Sequence, residues 1–283
     1  MKRSLSARVA RLAGSILIGG LALVAVAQPA PRVASINLCA DQLVLSLAAP
    51  GQITTISWLA ADPEESMLAR QAAAFPLNYG SAEELLRFAP DVVVAGAFTS
   101  SATVALLGRL GYRIVLLEPA VDVAGIERNL RAVGEALDAN ARAATLIAGM
   151  HLELARLSTA AAADPIDAVV VRPGGFTIGR DSLADSLMTL AGLRNVAAAR
   201  GLDRWGSLSM ETLLYSRPDL LIVTDYRRSE ASLANGFFDH PALRQLLQRV
   251  PAATVPAKYW ACGLPESLRS IELMREAAGR SLP

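Results

Sequence analysis

The stretch ANARAATLIAGMHLELARLSTAAA at residues 139–162 decides the fold. Within it Ala143, Ile147, Met150, Leu154 and Leu157 recur at steps of four, three, four and three, a spacing that stacks side chains on one stripe of an α-helix. Arg142, Glu153 and Arg156 fall off the stripe, so one face packs and the other meets water. Asp138 or Asn140 can cap the start. Alanines 161 to 163 followed by Asp164 and Pro165 end it, because proline cannot continue a helix and disfavours helical geometry in the residue before it. At 1.5 Å per residue the element is roughly 36 Å long, about the diameter of a small domain. Gly149 in its middle costs about 1 kcal/mol relative to alanine.

On either side of this helix the chain says the same thing twice. Residues 81–94 read SAEELLRFAPDVVV and residues 209–222 read SMETLLYSRPDLLI, matching at Ser, Glu, Leu, Leu, Pro and Asp with a constant offset of 128. Each copy encodes a serine cap, an acidic first turn, a short helix, a Pro-Asp turn and an apolar run suited to a strand buried on both faces. An internal repeat of this kind predicts two related α/β lobes, with the long helix as the divider.

Residues 1–27 have the make-up of a secretory signal. Lys2, Arg3, Arg8 and Arg11 precede an almost wholly apolar run from 12 to 26, and Ala25-Val26-Ala27 offers a cleavage site after Ala27. The run is short for a membrane-spanning anchor. Removing the leader takes the 27 basic residues to 23 against 26 acidic ones, a balance that argues against a nucleic-acid binder. The remaining 256 residues exceed the usual size of one hydrophobic core. Export also makes the only two cysteines, Cys39 and Cys262, candidates for a disulfide, although thiols so far apart cannot be paired from sequence alone.

Strand and helix patterns alternate along the chain. Strands are expected at 32–36, 53–57, 92–94, 113–117, 167–171 and 220–224. Helices are expected through Leu47, from Asp62-Pro63-Glu64-Glu65, over 100–110, 183–191, 210–215, 241–248 and 264–277. The fold class is therefore α/β: two Rossmann-like lobes, each a mostly parallel sheet flanked by helices, joined by one rigid helix with a cleft between them. The expected organisation is 1–27 signal, 28–138 first lobe, 139–163 linker helix and 164–283 second lobe.

Catalytic signatures are missing. The chain has no G-x-S-x-G elbow and no P-loop, and the glycines of residues 173–179 lack dinucleotide spacing. Its two histidines, His151 and His240, make a triad or a three-histidine metal site improbable; the first reads as a surface residue of the long helix and the second as a helix start. Parallel sheets bind ligands beyond the carboxyl ends of their strands. At those edges fall Trp58, Phe98, Phe176, Tyr259 and Trp260, with Tyr79 and Trp205 just ahead of the two repeats, a set suited to lining a cleft for a large flat ligand. Glu83 and Glu211 are stabilised by the helix dipole without any partner. Their equivalence also suits two carboxylates presented to paired arginines on a symmetric partner.

From Arg32 onward the chain resembles the periplasmic substrate-binding proteins of the cobalamin and ferric-siderophore class, whose lobes are joined by one rigid helix. The resemblance rests on the opening strand, the Glu83 motif through Pro90-Asp91, Phe176-Thr177-Ile178-Gly179, Trp205 four residues before Ser209-Met210-Glu211, and Trp260 before the last helix. It implies that Glu83 and Glu211 dock onto arginines of a membrane permease and that Phe176 and Trp205 face the ligand. It also places Cys39 and Cys262 at the cleft, one in each lobe, either bridged or as thiols that touch a bound chelate. The family's usual Pro and Thr-Glu in the first strand–helix loop are replaced by Leu38 and Asp41-Gln42, and arginine clusters that would grip siderophore carboxylates are not evident.

The expected function is capture of a metal chelate in the periplasm, a corrinoid such as cobalamin first and a ferric siderophore or haem second, for delivery to an ABC permease dimer with its ATPase. The expected ligand-facing set is Cys39, Trp58, Tyr79, Phe98, Phe176, Trp205, Tyr259, Trp260 and Cys262. No catalytic residue, protein-held metal, cofactor or nucleic acid is expected, and the chain is read as a monomer. The alternatives are an exported enzyme with a cysteine nucleophile and a binder of free metal ions.

Overall fold

The computed structural model describes residues 29–158, 164–224 and 233–279. The first sheet is built from β1 (Val33–Ser35), β2 (Ile53–Ser57), β3 (Leu77–Asn78), β4 (Val92–Gly96) and β5 (Arg113–Leu117), all parallel, in the order β3-β2-β1-β4-β5. After the long helix come β6 (Ile166–Val171), β7 (Phe176–Ile178), β8 (Leu193–Asn195), β9 (Trp205–Ser207), β10 (Leu220–Val223) and β11 (Ala252–Thr254). Four of these form a second parallel sheet, β11-β10-β6-β8, while β7 and β9 pair antiparallel as a separate ribbon. In each large sheet the chain leaves the first strand one way and later returns to its other side. The resulting switch points lie between β1 and β4 and between β6 and β10, where open α/β sheets place ligands.

The repeat is structural down to its hydrogen bonds. Ser81 Oγ accepts from the Glu84 amide at 3.3 Å and Ser209 Oγ from the Thr212 amide at 3.2 Å, capping helices Ala82–Phe88 and Met210–Ser216. Both helices end on a non-glycine residue in the left-handed region, Ala89 (φ 42°) and Arg217 (φ 47°), again 128 apart. Then Asp91 accepts from the Arg32 amide at 2.7 Å, and Asp219 accepts from the Asp167 amide at 3.0 Å, so each Pro-Asp turn clips its strand to the first strand of its own sheet. In the first copy Glu84 closes the capping box, which leaves Glu83 exposed.

The linker helix spans Asn140–Ser158. Ala143, Ile147, Met150 and Leu157 are buried and Leu154 is half-buried, as the stripe predicts, and they belong to one hydrophobic cluster with residues of both sheets, from Val33 to Ala253. Neither expected cap is used. Ala139 stands at the start, its carbonyl accepting from the Ala143 amide, while Asp138 takes a left-handed conformation (φ 56°) to turn the chain out of the preceding helix. Two arginines fasten the rod. Near its start Arg142 donates to the carbonyls of Leu47 and Ala48, at the end of helix Leu38–Leu47. Near its far end the buried Arg275 donates to Leu157 O and, at 2.8 Å, to Leu190 O, satisfying carbonyls that a helix terminus leaves unpaired.

Some expectations fail. Asp62-Pro63-Glu64-Glu65 does not begin a helix: Asp62 Oδ1 accepts from the Glu64 amide and its carbonyl from the amides of Glu65 and Ser66, closing a single turn, and the next helix is the short Ala69–Ala72. Helix Val123–Ala136, which packs on the linker helix, and strands β3, β7, β8, β9 and β11 went unread in the sequence. The expected signal peptide and the expected end of the linker at 159–163 lie outside the described residues.

Candidate functional site

A cavity of about 250 Å³ opens between the lobes, bounded by segments that follow the carboxyl ends of strands from both sheets. From the first lobe come Phe98, after β4, and Pro119, Ala120 and Val121, after β5, together with Glu65. From the second come Arg172 directly after β6, Ile178, Asp181 to Ala184 after β7, Arg204 and Trp205 at the start of β9, and Trp260 after β11. A smaller recess of about 80 Å³ adjoins it, with Phe98, Pro119, Ala120 and Ala261 shared between the two and Asn37, Cys39 and Cys262 in its walls.

The aromatic residues divide into groups. Phe98 and Trp205 meet across the gap edge to face, with ring centroids 6.2 Å apart, although both are more than half exposed. Trp260 is buried in the cavity wall. Trp58 and Tyr79 follow β2 and β3 and stack on one another at 6.3 Å, outside the cavity lining. Phe176 is half-exposed and borders a separate gap of about 10 Å³ behind β6, and Tyr259 is half-buried against the main core. The geometry therefore gathers Phe98, Trp205 and Trp260 at the cavity and leaves Trp58, Tyr79, Phe176 and Tyr259 outside its lining.

Cys39 and Cys262 are joined in a disulfide, with alpha carbons 5.0 Å apart. This decides between the two readings of the cysteines. Neither sulfur is a thiol, so a cysteine nucleophile and a thiol contact to a bound chelate are both excluded. Beside the bridge lies Asp41, fully buried, whose carboxylate accepts from the hydroxyls of Ser35 and Ser57 and from the Ser57 amide at 2.9 Å. Burial pushes its pKa up to about 6 against the opposing pull of those donors. The arrangement pins the first turn of helix Leu38–Leu47 to the ends of β1 and β2.

Charged residues of the cavity escaped the sequence reading. Arg172 and Arg204 bring guanidinium groups, and Glu65 and Asp181 bring carboxylates. Arg204 and Asp181 both occupy the left-handed region (φ 46° and 57°), conformations that cost non-glycine residues of order 1 kcal/mol and cluster at functional sites. The ribbon that presents them is braced by an ion pair between Arg180 and Asp203 and by the Arg204 amide donating to Arg180 O at 2.7 Å. The signal available in the sequence was the position of Arg172 at a strand's carboxyl end. Among the described residues no group of three or more His, Cys, Asp and Glu side chains is placed to hold a metal ion.

A family model described as periplasmic binding protein matches residues 33–253. The chain belongs to that family. Membership makes it a binding protein rather than an enzyme and places it in the periplasm; among the described residues no helix is long and apolar enough to cross a membrane. Among curated proteins none matches the chain in sequence. Solved structures of periplasmic binding proteins share its fold. The periplasmic heme-binding protein RhuT from Roseiflexus sp. RS-1 in apo form is 21% identical with a TM-score of 0.71, over 88% of this chain and 100% of that one. The periplasmic vitamin B12 binding protein BtuF of Vibrio cholerae is 17% identical with a TM-score of 0.67, over 89% and 97%. An ABC-type Fe3+-hydroxamate transport system protein from Saccharomonospora viridis DSM 43017 is 19% identical with a TM-score of 0.65, over 89% and 94%. The two-lobed periplasmic binding protein, joined here by helix Asn140–Ser158, is the architecture that the resemblance implied.

Proposed function

We propose that this periplasmic binding protein captures a metal chelate, a corrinoid first, and delivers it to an ABC permease. The observation that carries this is the cavity lining: aromatic and aliphatic walls from Phe98, Trp205, Trp260, Ile178 and Leu183, with two guanidiniums and two carboxylates among the described residues. Such walls hold a large ligand by its faces, and arginines pair with carboxylate or phosphate groups in a forked geometry. A corrinoid fits this mixture best, since its rim carries amides that donate and accept and its nucleotide arm carries a phosphate. A ferric siderophore comes second. Haem ranks beside the siderophore.

In this reading Phe98, Trp205 and Trp260 are the walls and Cys39 and Cys262 border the ligand's recess, while Trp58, Tyr79, Phe176 and Tyr259 are outer contacts for a ligand that extends beyond the cavity. Glu83 and Glu211, exposed in the first turns of equivalent helices, dock the monomeric protein onto an inner-membrane permease dimer with its ATPase. Its own backbone amide and the Ser209 hydroxyl hold the Glu211 carboxyl below its usual range. Lobes at 28–138 and 164–283, a linker at 139–163 and cleavage after Ala27 complete the assignment. Titration of the mature protein with cyanocobalamin, a ferric catecholate and hemin, followed by tryptophan fluorescence, tests it. Saturable binding of one of the three at one per chain supports the reading, and binding of none overturns it.

A further inference from the structure

Residues 257–264 follow β11 and lead into the last helices, so by chain order they belong to the second lobe, yet they grip the first lobe at three places. Cys262 is bonded to Cys39. Lys258 Nζ donates to Pro63 O at 2.9 Å. Gly263 sits so close to the first lobe that a Cβ on it would lie 2.6 Å from Ala120 Cβ and 2.8 Å from Ile126 Cγ1. A side chain at 263 would force this seam apart.

We infer that this segment is a strap that fixes the aperture of the cleft, so that the protein presents a preset gap instead of closing on its ligand. Two bodies joined by one stiff helix can still bend at the ends of the helix. A second, covalent joint leaves only rotation about the line through the two joints. The close packing at Gly263 and the Lys258 contact, one on each side of Cys262 in the chain, resist that rotation too. Helix Asn140–Ser158 packs against Pro265–Leu268, directly downstream of the strap, so the two joints are coupled through a buried contact. A gap held in advance spares the ligand the free-energy cost of ordering the lobes, and it limits which ligands enter by their thickness. Cys39, Cys262 and Gly263 are thus positioning residues for selectivity, with no contact to the ligand required of them.

Only the selectivity depends on the cavity being the ligand site; the strap itself can be read without ligand. The test measures distances between spin labels carried on encoded non-natural residues at exposed Arg109 and Arg244 in the full mature protein. The expected result is one narrow distance distribution, unchanged by saturating cyanocobalamin or hemin, that becomes broader and longer in Cys39→Ser/Cys262→Ser. Wild-type protein reduced after folding with a phosphine replaces the double variant if that variant does not fold. A broad distribution in the bridged protein, a shift on adding ligand, or an unchanged distribution after the bridge is removed would each overturn the strap. If neither probe binds while the distances behave as expected, the ligand assignment fails and the strap stands.

Discussion

Replacing Asp41 by asparagine tests whether a charged group is held inside the first lobe at a cost in stability. The folded protein raises the Asp41 pKa from 3.8 to about 6, chiefly by burial. A carboxyl whose folded pKa lies above its unfolded value binds protons more readily when folded, so its contribution is fully present below the unfolded pKa and is lost as pH rises through the folded one. The difference of roughly two units corresponds to about 3 kcal/mol at 1.36 kcal/mol per unit. Wild-type protein should therefore forfeit most of this, about 2 kcal/mol, from this group alone between pH 4 and pH 7. Asparagine has nothing to titrate, and the rotatable hydroxyls of Ser35 and Ser57 can turn to meet its amide. The assay is urea unfolding with the disulfide intact, followed by circular dichroism across that pH range for both proteins. The stability difference between variant and wild type should move in favour of the variant as pH rises. Parallel profiles would show that the Asp41 carboxylate is not penalised and would refute the reasoning. Carboxylates held below their usual range by ion pairing, such as Asp167 beside Arg194, respond in the opposite sense but cancel in the difference.

Other outcomes follow from single contacts. Arg275→Met should lower stability by roughly 2 to 6 kcal/mol in urea unfolding, because two carbonyls, of Leu157 and Leu190, lose a buried donor and each such loss costs about 1 to 3 kcal/mol. Gly149→Ala should raise stability by about 0.5 to 1 kcal/mol in the same assay, since the position is exposed, helical and has nothing within 4 Å of the new methyl group. Charge reversal at both Glu83 and Glu211 should leave chelate affinity in solution unchanged while abolishing uptake by cells; normal uptake would remove the docking role.

What could be read from the sequence was local chemistry repeated at a distance. Ser81 and Ser209, the Pro-Asp turns and the apolar runs behind them each declare a helix start, a turn and a strand within fourteen residues, and the constant offset links the copies. The stripe Ala143 to Leu157 was legible for the same reason, as a period along one element. The failures lie where tertiary context decides. Asp62 looks like a helix cap, but its side chain and carbonyl close a turn that goes no further. The ribbon of β7 and β9 joins segments nearly thirty residues apart through three paired positions, too few to leave a pattern. Arg172 and Arg204 share a cavity only because β6 ends at a switch point and that ribbon folds beside it. The Cys39–Cys262 bridge spans 223 residues and becomes visible only when both lobes are in place.

The central claim is that the guest sits in the cavity between the lobes, against Phe98, Trp205 and Trp260, and the metal it carries allows this to be seen directly. Crystals of the mature protein grown with cyanocobalamin or a ferric catecholate, with diffraction recorded at the cobalt or iron absorption edge, locate that metal by anomalous scattering. A single peak bounded by residues of both lobes, with Arg172, Arg204 and Trp205 around the chelate, is the predicted result. A peak on the outer surface of either lobe, with the gap empty, would contradict it.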